Sequence, residues 1–238
     1  QPQDYLMNEH TSKKFDSELE GIRTRVLQMG GMVELQIVKA MEGLSNGDLL
    51  LIDQVIENDN RVNLLEIELD EACNQVIAKR QPTAVDLRMV STVQKTITDL
   101  ERIGDEAKKI AKTAKLHHNT PSSFTPPIRL NHIADAVVDM LRTALDSYAR
   151  LDTVSAAQVV RQDKEVDAEF KGIMRQLITY MMEDPRTISQ AIELMFVAKS
   201  VERIGDHAKN IAEYVVYMVK GRDVRHTSLE EIEREAMR

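Results

Sequence analysis

Five consecutive residues, Glu101-Arg102-Ile103-Gly104-Asp105, recur as Glu202-Arg203-Ile204-Gly205-Asp206. The Ala, Lys, Ile and Ala that follow also align: Ala107 with Ala208, Lys108 with Lys209, Ile110 with Ile211, Ala111 with Ala212. An identity of this length, placed at the same point of the same helical pattern, marks an internal duplication. Whatever one half folds into, the other must fold into as well, and the two halves are expected to be related by a pseudo-twofold axis.

The pattern around the repeated element is helical. Phe15, Leu19, Ile22, Val26, Met29, Val33 and Ile37 are spaced by three and four, which predicts one long amphipathic helix reaching about Leu44. Asn46-Gly47 reads as a turn. A second periodic segment, about Leu49 to Lys79, carries Ile52, Val55, Val62, Leu69, Cys73 and Val76. Pro82 breaks it, and Thr83 with Asp86 resembles an N-cap with an acidic first turn, opening a third helix to about Leu116. His117 to Pro127, with Pro121, Pro126, Pro127 and Ser122-Ser123, reads as a linker. Three helices then return at roughly Arg129–Arg150, Thr153–Met182 and Thr187–Lys220. Asp184-Pro185 stands where Pro82 stood, and Thr187 with Gln190 reads as a capping box. Ser228 and Glu231 can cap one more short helix. The expectation is an all-α fold of two tandem pseudo-symmetric three-helix bundles, with long spectrin-repeat-like helices packed by coiled-coil-like ridges. The division is 9–118 for the first unit, 119–127 for the linker, 128–221 for the second unit and 222–238 for a tail.

Composition suits this architecture and excludes several functions. Apolar residues are 42% of the 238, enough for a large core, whereas Trp is absent and Gly and Pro number only 9 and 6. A net charge of −8 sets the chain against phosphate backbones, so no nucleic-acid partner is expected. One cysteine, Cys73, offers no disulfide within the chain and reads as a small core residue. No apolar run approaches the roughly 20 residues of a membrane span, so no membrane insertion is expected. Gln1 to Asp16 lacks the apolar centre of a secretory signal, and the expected location is the cytoplasm.

Certain carboxylates sit where a helix stripe should be apolar. At about 100° per residue, Asp59 lies on the stripe of Val55, Val62 and Cys73, with Asn63 one turn on at its flank. In the second unit Asp163 and Asp167 take these places on the stripe of Val159, Val166, Ile173 and Leu177. Glu101 and Asp105 project from the edge of the next helix beside Gly104; Glu202 and Asp206 repeat this beside Gly205. Each unit thus carries an oxygen-ligand pair at i, i+4 on two helices. A like-charged i, i+4 pair costs roughly 0.2–0.5 kcal/mol. A mid-helix glycine costs about 1 kcal/mol, and an unpaired buried carboxylate costs more. A hard cation such as Mg²⁺, Mn²⁺, Ca²⁺ or iron would offset the charge. The alternative is ordinary salt bridging of Asp105 by Lys108 or Lys109 and of Asp206 by Lys209. Glu66 also falls on the stripe, but Phe170 replaces it in the second unit. His117 and His118 read as linker histidines, and His207, matched by Glu106, is no shared ligand. Met181-Met182 read as core or dimer filler. With no Glu-x-x-His, no phosphate-cradling glycine loop, no Gly-x-Ser-x-Gly and no cysteine pair, the familiar catalytic signatures are missing.

At these residues the chain resembles the PhoU family. The doubled Glu-Arg-Ile-Gly-Asp element carries the likeness, with Gln81-Pro82-Thr83-Ala84, Met29-Gly30-Gly31-Met32-Val33-Glu34 and Tyr180-Met181-Met182-Glu183-Asp184, over about His10 to Arg225. The resemblance implies a cytoplasmic, dimeric regulator rather than an enzyme. Such proteins link the ATPase subunit of the phosphate-specific ABC transporter to a phosphate-responsive sensor histidine kinase. They restrain uptake and phosphate-starvation signalling when phosphate is plentiful. The resemblance further implies multinuclear sites for divalent or trivalent metal ions (Mg, Mn, Fe or Zn) on Asp59, Asn63, Glu101, Asp105, Asp163, Asp167, Glu202 and Asp206. Asn63 stands where the family often has Asp, so the first site is expected to be weaker or empty. A carboxylate-bridged metalloenzyme is the competing expectation and would need an enclosed pocket with a titratable base.

Overall fold

The computed structural model describes residues 2–120 and 122–238, with side chains from Lys13 onward. Gln1 at the polar start and Pro121 of the linker lie outside the described residues. Seven helices follow in order: α1 (Pro2–Asn46), α2 (Leu49–Arg80), α3 (Ala84–Asn119), α4 (Asn131–Arg150), α5 (Thr153–Glu183), α6 (Ile188–Lys220) and α7 (Leu229–Met237). A single 3₁₀ turn, Pro185–Thr187, precedes α6, and among the described residues there is no strand. No helix among them is long and apolar enough to cross a membrane.

The apolar periodicity is what closes each bundle. Phe15 through Ile37 on α1, Ile52 through Val76 on α2, and Val90 through Ala114 on α3 are all buried and form one core with their counterparts in α4–α6. Asp48 starts α2 by accepting from the Leu50 and Leu51 amides, and Asp152 starts α5 by accepting from Ser155 N. Ser228 and Glu231 form the reciprocal capping box expected of α7, whose Leu229, Ile232 and Ala236 pack down onto α5. Thr83 stands at the N-cap of α3 but makes no side-chain cap bond.

Three sequence expectations are corrected. The box at Thr187 and Gln190 does not form. Asp184 caps the 3₁₀ turn through Arg186 N, the Thr187 hydroxyl turns back to the Tyr180 and Asp184 carbonyls, and the Gln190 amide donates to Thr120 O. The first helix begins at Pro2, well before the first stripe residue Phe15, because nothing between them breaks a helix. His117 and His118 belong to α3 rather than to the linker: His117 Nδ1 lies 2.8 Å from Glu193 Oε2 on α6, and His118 Nε2 lies 2.7 Å from the Leu44 carbonyl at the end of α1. Of the methionine pair read as core or dimer filler, Met181 is half-buried and Met182 is 80% exposed in the single chain.

Two antiparallel helix pairs join the units. Along α1 and α4, Arg23 donates to the Tyr148 carbonyl at 2.8 Å, which satisfies an end carbonyl of α4, and Ser45 meets Asn131. Between them Gly30 admits Leu145, whose Cδ1 would lie 2.5 Å from any Cβ added there. Along α3 and α6, His117 faces Glu193, Glu106 faces Arg203, and Asp99 faces His207, Asn210 and Tyr214. Asp99 is 5% exposed and accepts from the Tyr214 hydroxyl at 2.7 Å and the Asn210 amide at 3.1 Å, with His207 Nδ1 also 2.7 Å away. This node spans the two units, and losing the carboxylate would leave a half-buried hydroxyl and an imidazole without their acceptor. Asp99→Ala is expected to destabilise the chain by about 2 kcal/mol, read as a lower thermal midpoint. A control change at exposed Glu57 should leave the midpoint in place.

Candidate metal centre

Each unit brings the middle of its second helix against the repeated element of its third. Asp59 on α2 and Asp163 on α5 are 2% and 4% exposed, held on the apolar stripe as their spacing predicted. The glycine of the repeated element lies directly opposite each aspartate. A Cβ at Gly104 would lie 3.5 Å from Asp59 Oδ1 and 3.3 Å from Val62 Cγ1; one at Gly205 would lie 3.7 Å from Asp163 Oδ1 and from Val166 Cγ1. The third and second helices therefore approach closely, with one carboxylate oxygen laid over the glycine. Asp59 Oδ1 and Asp163 Oδ1 are both buried without a hydrogen-bond partner, an arrangement costly for a carboxylate unless something neutralises it.

The two units complete the site differently. In the second, oxygen atoms of Asp163, Asp167 and Asp206 all lie within 4.8 Å of one another, the one group of three His, Cys or acidic ligands that comes so close among the described residues. Three carboxylates and no nitrogen or sulfur fit a hard cation, and the orphaned Asp163 Oδ1 fits a ligand atom awaiting one. Glu202 is half-buried beside them but is held by Lys199 Nζ at 2.8 Å. In the first unit Asn63, in place of Asp167, spends its amide on Asp59 Oδ2 at 3.4 Å. There Asp105 is drawn to Lys109 at 3.1 Å, and Glu101 stands half-buried beside it. The four residues sit on facing helices as expected, yet their acids do not gather into a comparable group.

The salt bridging differs from the simple expectation. Lys109 does bridge Asp105, but Lys108 crosses to Asp59 Oδ2 at 3.3 Å. Lys209 does not pair with Asp206. It too crosses to the second helix, 3.9 Å from Asp163, and lies 3.9 Å from Glu213 one turn on. The lysine of the repeat projects toward the gap between the helices, where the buried aspartate has no other cation. Sequence reasoning set aside one further participant, Glu66, and passed over another, Glu213. Glu66 is half-buried, and burial together with the nearby Glu101 carboxylate raises its pKa; Glu101 is itself raised by burial and by Asp105. The position of Glu66 on the stripe was the available signal, masked by Phe170 in the second unit. Glu213 is 6% exposed, and no repeat points to it because Lys112 occupies its place in the first unit.

Crowding of carboxylates leaves its mark on their acidity. Burial, with Asp167 close by, pushes Asp163 up to about 6. Burial and the Glu202 carboxylate push Asp206 up to about 7. Asp167 is raised by the same two causes. Because these pKa values exceed those of an unfolded chain, the native state binds more protons between them, and stability is lost as pH rises. The metal-free protein should therefore melt at a lower temperature at pH 8 than at pH 5, with the fall centred between about 4 and 7. Asp206→Asn should flatten this profile, and millimolar Mn²⁺ should restore the midpoint at pH 8 if the three carboxylates take it up.

A profile of the PhoU domain matches the chain twice, at residues 26–114 and 130–215, each match spanning a three-helix unit and its repeated element. The phosphate-specific transport system accessory protein PhoU of Serratia marcescens is 48% identical over 230 residues, covering 96% of this chain and 93% of that protein. The crystal structure of PhoU from Pseudomonas aeruginosa superposes with a TM-score of 0.84 at 45% identity, over 87% of this chain and 100% of that one. The phosphate transport system regulatory protein PhoU from Streptococcus pneumoniae superposes with a TM-score of 0.80 at 25% identity, over 88% and 99% of the two chains. With two matched domains, near full-length identity and the same fold, this chain belongs to the PhoU family.

Proposed function

We propose that this chain is an accessory and regulatory protein of phosphate transport, acting as an adaptor rather than an enzyme. In this reading it is a cytoplasmic homodimer that contacts the ATPase subunit of a phosphate-specific ABC transporter and a phosphate-responsive sensor histidine kinase. It would hold phosphate-starvation signalling and uptake down when phosphate is plentiful. The support is the near full-length likeness to proteins named as accessory and regulatory components of phosphate transport. The single observation that carries it is the doubled element, present at 101–105 and 202–206 within both matched domains.

The geometry favours an adaptor over a metalloenzyme. Glu101, Asp105, Asp167, Glu202 and Asp206 are all half-buried at a helix surface. Surface cavities elsewhere are lined by other residues, one at Leu44, His117, Ile128 and Leu194, another at Ser91, Lys95, Asp99 and Tyr214. An open acidic face presents charge to a partner, and a divalent ion on Asp163, Asp167 and Asp206 would cancel most of that charge locally. Mg, Mn, Fe and Zn are the candidate ions; oxygen ligands alone favour the first three.

Glu101→Ala with Glu202→Ala is expected to derepress phosphate-starvation genes in high phosphate while the dimer persists. Unchanged expression would refute motif-dependent signalling. Calorimetric titration of metal-stripped protein with Mn²⁺ should give saturable binding in the wild type and none in Asp105→Ala/Asp206→Ala. Absent heat in both would leave the carboxylates as a recognition surface.

A further inference from the structure

The repeated lysine differs between the two units in one respect. Lys108 Nζ lies 3.3 Å from Asp59 and has no second carboxylate on its own helix one turn on, because position 112 is itself an exposed lysine. Lys209 Nζ lies 3.9 Å from Asp163 and 3.9 Å from Glu213, within ion-pair range of both and hydrogen-bonded to neither. Glu213 is buried, and besides Lys209 its charged surroundings are Asp163, Asp223 and Arg225. Arg225 is committed to Asp223 at 2.6 Å. One ammonium thus serves two buried carboxylates, of which Asp163 belongs to the three-aspartate cluster and Glu213 does not.

Building on the reading that Asp163, Asp167 and Asp206 hold a divalent ion, we propose that Lys209 is a displaceable internal counter-cation. Without metal it neutralises Asp163 and Glu213 together. A divalent ion taking the Asp163 carboxylate repels the ammonium, and Glu213 receives it one turn along α6. The lysine competes with metal, and Glu213 assists metal by offering the displaced ammonium a second partner. The first unit has only the competing half of this arrangement, with Asn63 further reducing its negative charge, so Lys108 remains on Asp59.

A double-mutant cycle tests this, with Mn²⁺ titrated calorimetrically into metal-stripped protein at pH 8, where Glu213 is charged. Lys209→Met is expected to tighten Mn²⁺ binding by about tenfold, a coupling of ordinary size. Glu213→Gln should weaken it by a similar factor in the wild type and have no effect in the Lys209→Met background. Lys209→Gln, which keeps a polar side chain, should behave as Lys209→Met and serves if the latter fails to fold. Unchanged or weaker binding in both lysine variants would overturn the proposal. So would an effect of Glu213→Gln that persists without the lysine, since that would be direct attraction of the metal by Glu213. If neither the wild type nor the lysine variants take up Mn²⁺, the metal reading itself falls and this proposal with it.

Discussion

The structure turns on one unfavourable placement made twice: an aspartate in the middle of an apolar helix stripe. Asp59 and Asp163 each lose hydration on folding, and each keeps one carboxylate oxygen without a hydrogen-bond donor. Several other features follow from this need. Gly104 and Gly205 lie against the carboxylate, whose oxygen is 3.5 and 3.7 Å from where a Cβ would stand, although a glycine in mid-helix weakens the helix. Lys108 and Lys209 both cross to the neighbouring helix, Lys209 while also keeping Glu213 of its own helix in range. The five-residue element is therefore one piece of chemistry, in which acid, glycine and the lysine that follows are all arranged around a residue on another helix.

The helices were legible because periodicity is a local property. Every stripe residue from Phe15 to Ile37 is buried, and so are Asp59 and Asp163, which the helical projection placed among them. Duplication was legible because identity survives whatever the fold. Partner choice was not. Angle alone put Lys209 beside Asp206, one turn back on the same helix, but the buried aspartate opposite has the stronger demand for a cation. The cap at Thr187 failed for a related reason: Pro185 starts a 3₁₀ turn capped by Asp184, a competitor that a motif read forward from Thr187 does not reveal. His117 and His118 looked like linker because prolines follow them, yet their imidazoles find Glu193 and the Leu44 carbonyl in the next layer. Contacts between units leave no period in a sequence.

The two units have parted in charge while keeping their frame. The second gathers three aspartates and leaves its lysine shared between two acids. The first has given up one carboxylate to Asn63, whose amide now donates to Asp59, and has brought Lys108 within 3.3 Å. One half is thus close to internal neutrality at its centre, and the other retains an excess of negative charge that burial alone makes costly.

The seam between α3 and α6 has a further consequence. Where the first unit offers Glu106, the second offers His207, and where the first offers Asp99, the second offers Ser200. Asp99 against His207 is a match; a tandem of two first units would set Asp99 against a glutamate at the same spot. The halves can no longer be interchanged, and the molecule, though built from a repeat, has a front and a back. Duplication supplied the architecture, and this exchange of residues across the seam has given it a direction.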